Sequence, residues 1–452
     1  MSGAGVGPEP GSDVTAGLES AEIAEAPGAI WPRSSRVGLG RGMRALRSRN
    51  FRLLWAGQWA RATGLWMQLV ATPLLAISLG GSPLDLGIVY ALQFGPILLL
   101  APLGGAIADR IEKRRLVMLL QLISAAQALG FVIVISTGIV AMIHIFALSI
   151  VLGLVNAAEM PTRVSFVAEL VPDEDLPNAV ALMMLAMNGS RIIGPAIAGL
   201  LAAVFGFSSN FAWSFVAALS CIVVVGQIDG ARTRRSPKPN SESVRAALAA
   251  GFRFIAATPS VNVPLSLLAM FGIFGISFQT VLPVYALDIL KLDRSGYGFL
   301  LAAMGLGALA AAVPLTLVSL SFARRIMFFA PVAFAAFLAA LALTGDPRLA
   351  FLVIGPLGFF FVLINSSINV TVQSTIPHQF RGRTMGIYVS IMHGGGAVGG
   401  LVMGALAELL GVTTAMFVGA GATVVITILL RLRQVVVLRH GPAVTAGSSE
   451  PA

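Results

Sequence analysis

Residues 104–116 read GGAIADRIEKRRL. Six of the seven residues from Asp109 to Arg115 are charged, and the chain on either side is apolar. A knot of charge between two apolar runs reads as a short loop between two membrane spans. Each flank, 83–107 and 115–136, exceeds the roughly 20 residues that a helix needs to cross a bilayer. Working outward, the pattern repeats. Twelve apolar runs are found, at 53–79, 83–107, 115–136, 140–160, 176–204, 207–228, 262–288, 296–319, 326–344, 349–372, 385–408 and 412–435. The whole chain of 452 residues is 57% hydrophobic and only 11% charged. A soluble protein of this length needs far more charge for its surface, so the fold class is all-α integral membrane.

Orientation follows from counting cations. With the N-terminus inside, 25 of the 30 Lys and Arg fall in cytoplasmic segments. Lys291, Arg294 and Arg348 fall outside, and Arg61 and Arg191 fall within the membrane. That bias places both termini in the cytoplasm. It also explains the net charge of +10 without nucleic acid as a partner. Residues 1–50 read as a cytoplasmic tail, acidic and then basic, with no signal peptide. Residues 51–229 form a first six-helix half. Residues 230–257 form a basic linker ending in an amphipathic helix, 258–438 a second half, and 439–452 a cytoplasmic tail. Val171-Pro172 and Ile376-Pro377 stand at matching places in the two halves. The single cysteine, Cys221, excludes an internal disulfide and reads as a small buried residue.

The loop after the second span has the order Gly105, Asp109, Arg110, Lys113, Arg114, Arg115. This resembles the cytoplasmic loop signature of the major facilitator superfamily, and the resemblance implies twelve transmembrane helices in two six-helix halves. Gly105 permits close helix approach, and Asp109 can accept hydrogen bonds at a helix N-terminus of the opposite half. The equivalent loop of the second half keeps only Arg324 and Arg325. In the fifth span, NGSRIIGPAIAG carries Gly189, Gly194, Pro195 and Gly199. It resembles the Gly-Pro signature of exporters in that superfamily, with a single closing glycine in place of the usual pair. FRLLWAGQ, AEMPTRVSFVAELVPDEDLPNAVALM and TIPHQFRGRTMGIY resemble the bacterial exporter group that includes the enterobactin exporter.

Ionisable residues at membrane depth are costly and point to function. Arg61 and Arg191 both fall deep in spans that line or flank the cavity in that fold. Arg61 departs from the group and is expected in the central cavity, where its planar fork suits a carboxylate or phosphate. Arg191 agrees with the group and is expected to bond within the bundle. Glu159 is expected at the cytoplasmic end of the fourth span, in a gate, paired with Lys113 or Arg114, with Arg163 as a second option. No carboxylate is expected near the midplane. His393 is the one deep group that titrates near neutrality. Asn365, Asn369 and Gln373 recur at helical spacing on one face. With Gln58, Gln68, Gln93 and Gln279 they form a candidate polar lining, and Trp59, Trp66, Phe94 and Phe278 a candidate aromatic one.

The sequence therefore predicts a monomeric exporter in the cytoplasmic membrane of a bacterium. Its cargo is a small amphipathic molecule, with Arg61 pointing to an anion such as a siderophore or acidic metabolite. A multidrug exporter is the near alternative. Proton antiport is implied by the resemblance, without a visible carrier. An organic-anion importer or exchanger using Arg61 and Arg191 as a clamp stays open, as does a membrane scaffold or sensor. No metal-ligand cluster, nucleophile elbow or phosphate loop points to an enzyme, and no cofactor or metal is implied.

Overall fold

The computed structural model describes residues 43–108, 112–229, 244–311, 314, 319–377 and 380–440, with side chains described outside 101–108, 244–248, 381–382 and 437–440. Every regular element among them is a helix. The first set is α1 (Arg49–Ser78), α2 (Pro83–Ala108), α3 (Lys113–Ser136), α4 (Met142–Leu170), α5 (Leu176–Val204) and α6 (Phe207–Gly226). A short helix follows, α7 (Val244–Ala257). The second set is α8 (Pro259–Ile289), α9 (Arg294–Ala310), α10 (Leu320–Leu343), α11 (Pro347–Thr375), α12 (Arg381–Leu410) and α13 (Val412–His440). The acidic-then-basic tail up to residue 42, Asp109, Arg110, linker residues 230–243 and the tail from 441 lie outside the described residues.

Among the described residues, ten helical segments are long and apolar enough to cross a membrane. The other two long helices complete the twelve. In α1, Arg61 and the glutamines lower the hydropathy, and α9 is short at 17 residues. Large apolar side chains face outward, among them Leu409 (79% exposed), Leu343 (75%) and Leu352 (72%). Lipid is the solvent in which such a surface is stable.

Helix starts follow local chemistry. Ser48, Asp293, Ser319 and Asp346 accept backbone N–H groups at the first turns of α1, α9, α10 and α11. One boundary differs from the sequence reading in a way that matters. The fourth helix does not end near residue 160. It continues through Pro161 to Leu170, because Pro172 and an extended Val171 stop it instead. Helix α8 is interrupted by π turns at Phe271–Gly275 and Tyr285–Ile289. The Ser277 hydroxyl donates to the Gly272 carbonyl, 2.6 Å away, satisfying a group that the first interruption frees.

The packing repeats between the two sets. In the first, α1 packs on α5 and α6, α4 on α2 and α3, and α3 on α6. In the second, α8 packs on α12 and α13, α11 on α9 and α10, and α10 on α13. Two crossings join the sets, α2 with α12 and α5 with α9, and the same pseudo-two-fold relation exchanges them. Both crossings tighten toward the ends remote from Arg49 and His440. A Cβ on Gly87 would lie 2.6 Å from the Gly400 carbonyl oxygen, and one on Gly298 would lie 2.4 Å from that of Pro195.

Backbone cannot step aside as a side chain can, so these glycines set the distance between the helix sets. Gly298→Leu is expected to separate α5 from α9 and to cost about 1–3 kcal/mol, the usual range for overpacking. Gly421→Ala, with nothing within 4 Å of its added Cβ, is expected to be neutral or slightly stabilising. Thermal unfolding of the two variants in detergent checks the contrast.

Candidate functional site

Two arginines at membrane depth have different surroundings. Arg61, near the middle of α1, forms an ion pair with Glu159 of α4, and the same carboxylate pairs with Arg163 one turn along. Arg61 also donates to the Asn156 side-chain oxygen at 2.9 Å. Gln121 of α3 donates to the Glu159 carboxylate at 2.8 Å. Glu159 is 1% exposed and Gln121 0%. Asn156, Glu159 and Arg163 are spaced three and four residues apart, so they share one face of α4. The cluster ties α1, α3 and α4 together. It corrects three expectations. Glu159 lies inside a helix and not at its end, so a carboxylate does sit at membrane depth. It pairs with Arg163, the second option of the sequence reading, and with Arg61, and not with Lys113 or Arg114. Arg61 is held by Glu159 and Asn156 rather than standing free in the cavity, with its Nε left unpartnered.

Arg191, near the middle of α5, has no such partner. Its guanidinium carbon lies 5.3 Å from the Trp66 ring centroid of α1 and 4.8 Å from that of Phe361 of α11. No hydrogen bond or ion pair to Arg191 is found among the described residues. The Trp66 indole N–H is buried without a partner. A guanidinium held by two aromatic faces keeps its N–H donors directed outward along its edge. The hydrogen bonds expected of Arg191 within the bundle are not found among the described residues, and this sandwich stands in their place. It takes two residues from the first helix set and one from the second.

The amides are mostly used locally. Asn365 donates to the Phe361 carbonyl at 2.9 Å within α11, and Gln373 donates to Asn369 at 2.7 Å. Gln93 reaches Ser149 at 3.5 Å, and Gln279 reaches the Met304 sulfur at 3.8 Å. Gln58 and Gln68 are buried, each with an unpartnered carbonyl oxygen. Gln68 shares with Arg61 the lining of a cavity of about 20 Å³. The His393 ring lies parallel to that of Phe94 across the α2–α12 crossing, with centroids 6.5 Å apart, and its Nε2 is buried without a partner. Phe94 in turn packs on Tyr90 at 4.5 Å. Trp66, Phe94 and Phe361 thus flank the helix-set junction, whereas Trp59 packs on Trp55 and Phe278 on Phe334.

The sequence profile of the transmembrane secretion effector family matches residues 41–449. The chain belongs to this family of the major facilitator superfamily. The multidrug efflux pump Tap of Mycolicibacterium fortuitum is 26% identical, covering 77% of this chain and 87% of that protein. The enterobactin exporter EntS of Escherichia coli K12 is 26% identical over 88% of this chain and 96% of its own. Among solved structures, the nucleoside transporter NupG aligns with a TM-score of 0.68 at 14% identity, over 85% of this chain and 98% of that one. The human organic anion transporter MFSD10 aligns at 0.58 and 14%, over 84% and 99%. These structures share the major facilitator fold.

In this major facilitator protein the loop residues have specific partners. Lys113 pairs with Glu169 at 2.7 Å, which joins the start of α3 to the end of α4. Arg114 donates to the Val225 and Gly226 carbonyls, capping the last turn of α6. Gly105 falls in the last turns of α2. The Gly-Pro motif is a packing surface with two sides. A Cβ on Gly189 would lie 2.3 Å from the Trp59 ring, and one on Gly194 would lie 2.6 Å from the Trp66 Cβ. Gly199 faces α9, 2.8 Å from the Arg294 carbonyl oxygen by the same measure, with Pro195 between. Sequence reasoning missed Asn156, Gln121 and Phe361. Only Asn156 had a readable signal, its helical spacing to Glu159 and Arg163.

Proposed function

We propose that this transporter exports a small amphipathic molecule with an anionic group across the cytoplasmic membrane, by alternating access and with proton exchange. The observation that carries the reading is the Arg191 sandwich. A carboxylate or related anion can accept from the guanidinium edge and from the unpartnered Trp66 N–H. The aromatic faces give apolar surface to the rest of the cargo. Rocking the two six-helix halves about the 230–257 linker would carry Phe361 away from Arg191. Affinity then differs between the two access states, as transport requires. The efflux pumps among the relatives support export.

The test compares metabolites inside and outside cells with and without this chain. Export is expected to leave an anionic compound accumulated inside the deletion strain and depleted outside. Everted membrane vesicles carrying the chain are then expected to take up that compound, and collapse of the proton gradient is expected to stop uptake. A compound that fails to enter the deletion strain would establish the importer reading instead. No flux in either direction would leave a scaffold or sensor.

A further inference from the structure

The Arg61 cluster does not balance. Arg61 and Arg163 carry two positive charges against the one negative charge of Glu159, with all three side chains largely buried. Among the described residues no other carboxylate pairs with either arginine. Lys113 is matched by Glu169, and Arg114 is spent on carbonyls. Cys221 of α6, packed where Gly57 of α1 makes room for its sulfur, is a thiol. A surplus cation buried among helices is unfavourable without a counter-charge.

Donors and space are both present. The Arg61 Nε and the Arg163 Nε and Nη1 are buried N–H groups without a partner, and of the two arginines Arg61 lines the space. Beside Arg61 lies the cavity of about 20 Å³, lined also by Gln68, Gln121, Ser124, Leu152 and Ser214. A single water needs about 10–15 Å³ on this measure. The space is of the order that one water or one small ion occupies. Water satisfies the orphaned donors and leaves the charge; an anion answers both. Ser124 makes no hydrogen bond among the described residues, so its hydroxyl is free to donate. The Gln68 amide has no bonded partner fixing which end faces the space. Gln121 gives one amide hydrogen to Glu159 and keeps the second, while its carbonyl oxygen is buried without a partner.

We propose that this cavity is a site for a monatomic anion, chloride under physiological conditions, which completes the Arg61–Glu159–Arg163 cluster. The site is separate from the Arg191 sandwich and does not depend on the cargo assigned to it.

The test uses the purified full-length chain in detergent. Sodium gluconate is replaced stepwise by sodium chloride at constant ionic strength, and thermal unfolding is followed. Wild type is expected to show a saturable rise in melting temperature with chloride. Arg61→Gln removes the surplus charge and is expected to abolish the response, and Ser124→Val, which fills the cavity and keeps the charges, to weaken it. Crystals of the wild type grown in bromide are expected to show an anomalous peak within hydrogen-bonding distance of the Arg61 Nε. Equal melting curves in both salts, together with no bromide peak at that place, would mean that the cavity holds water and the proposal is wrong. The bromide experiment needs no variant, so misfolding of either one leaves it decisive.

Discussion

Glu159→Gln is expected to destabilise the protein severely, while Arg61→Gln leaves it folded. Charge balance in a buried place sets the order. The protein side chains of the cluster carry a surplus of one positive charge, from Arg61, Arg163 and Glu159. Removing the carboxylate raises the surplus to two and strips both guanidinium groups of their ion pair. Breaking a buried pair by removing one partner costs about 3–5 kcal/mol. Removing Arg61 does the opposite. It leaves Glu159 with Arg163 and with the Gln121 amide at 2.8 Å, a neutral and well-bonded set. The double variant restores a surplus of one without any carboxylate, and falls between the two. Melting temperatures in detergent should rank wild type and Arg61→Gln together, the double variant lower, and Glu159→Gln lowest. The reverse order for the single variants would mean that Arg61 holds the bundle in a way the ion pairs do not describe. Loss of transport in Glu159→Gln would follow from the lost fold, so flux is informative only for variants that melt like wild type.

The fold was legible because lipid enforces it. A span must be about 20 residues long and must satisfy its backbone internally, so apolar length alone marks each helix. The boundary read at residue 160 was misplaced for a physical reason. In a soluble helix Pro161 would mark a break, and Arg163 two residues later would read as solvent. In the bundle neighbouring helices hold the chain through Pro161, and Arg163 finds Glu159. Ending the helix at 160 concealed the shared face of Asn156, Glu159 and Arg163. The partners across helices were not readable from one sequence. Gln121 and Arg61 meet Glu159 only because α3 and α1 pack beside α4, and that depends on helix rotation as well as helix existence. The same is true of Phe361, which lies in a run of three phenylalanines. Nothing in the run says which ring meets Arg191. The glycines of the fifth span were readable as a packing surface, but not the two different helices, α1 and α9, that they receive.

Arg191→Met is expected to reduce export of an anionic cargo by about 10- to 100-fold in kcat/KM, with fold and membrane insertion unchanged. A hydrogen bond to a charged group is worth about 1.5–3 kcal/mol, and each 1.4 kcal/mol is tenfold. Methionine keeps the length and fills the gap between Trp66 and Phe361, so the loss reads the charge and the fork rather than a cavity. Arg191→Lys separates those two. The ammonium keeps the charge but has no planar face for two rings and no bidentate edge. It should recover part of the activity by attraction and leave KM raised. Phe361→Leu removes one ring and keeps the cation, and a partial loss is expected, on the order of the 0.5–2 kcal/mol of a cation–π contact. The cargo itself supplies the control. A neutral analogue with the same apolar body should be transported by Arg191→Met about as well as by wild type, because the substitution removes the cation and leaves the Trp66 N–H and the apolar faces in place. If Arg191→Met moves the anionic cargo at the wild-type rate, the sandwich is a structural pin between helices. In that case melting temperature, rather than transport, should fall with the loss of either ring.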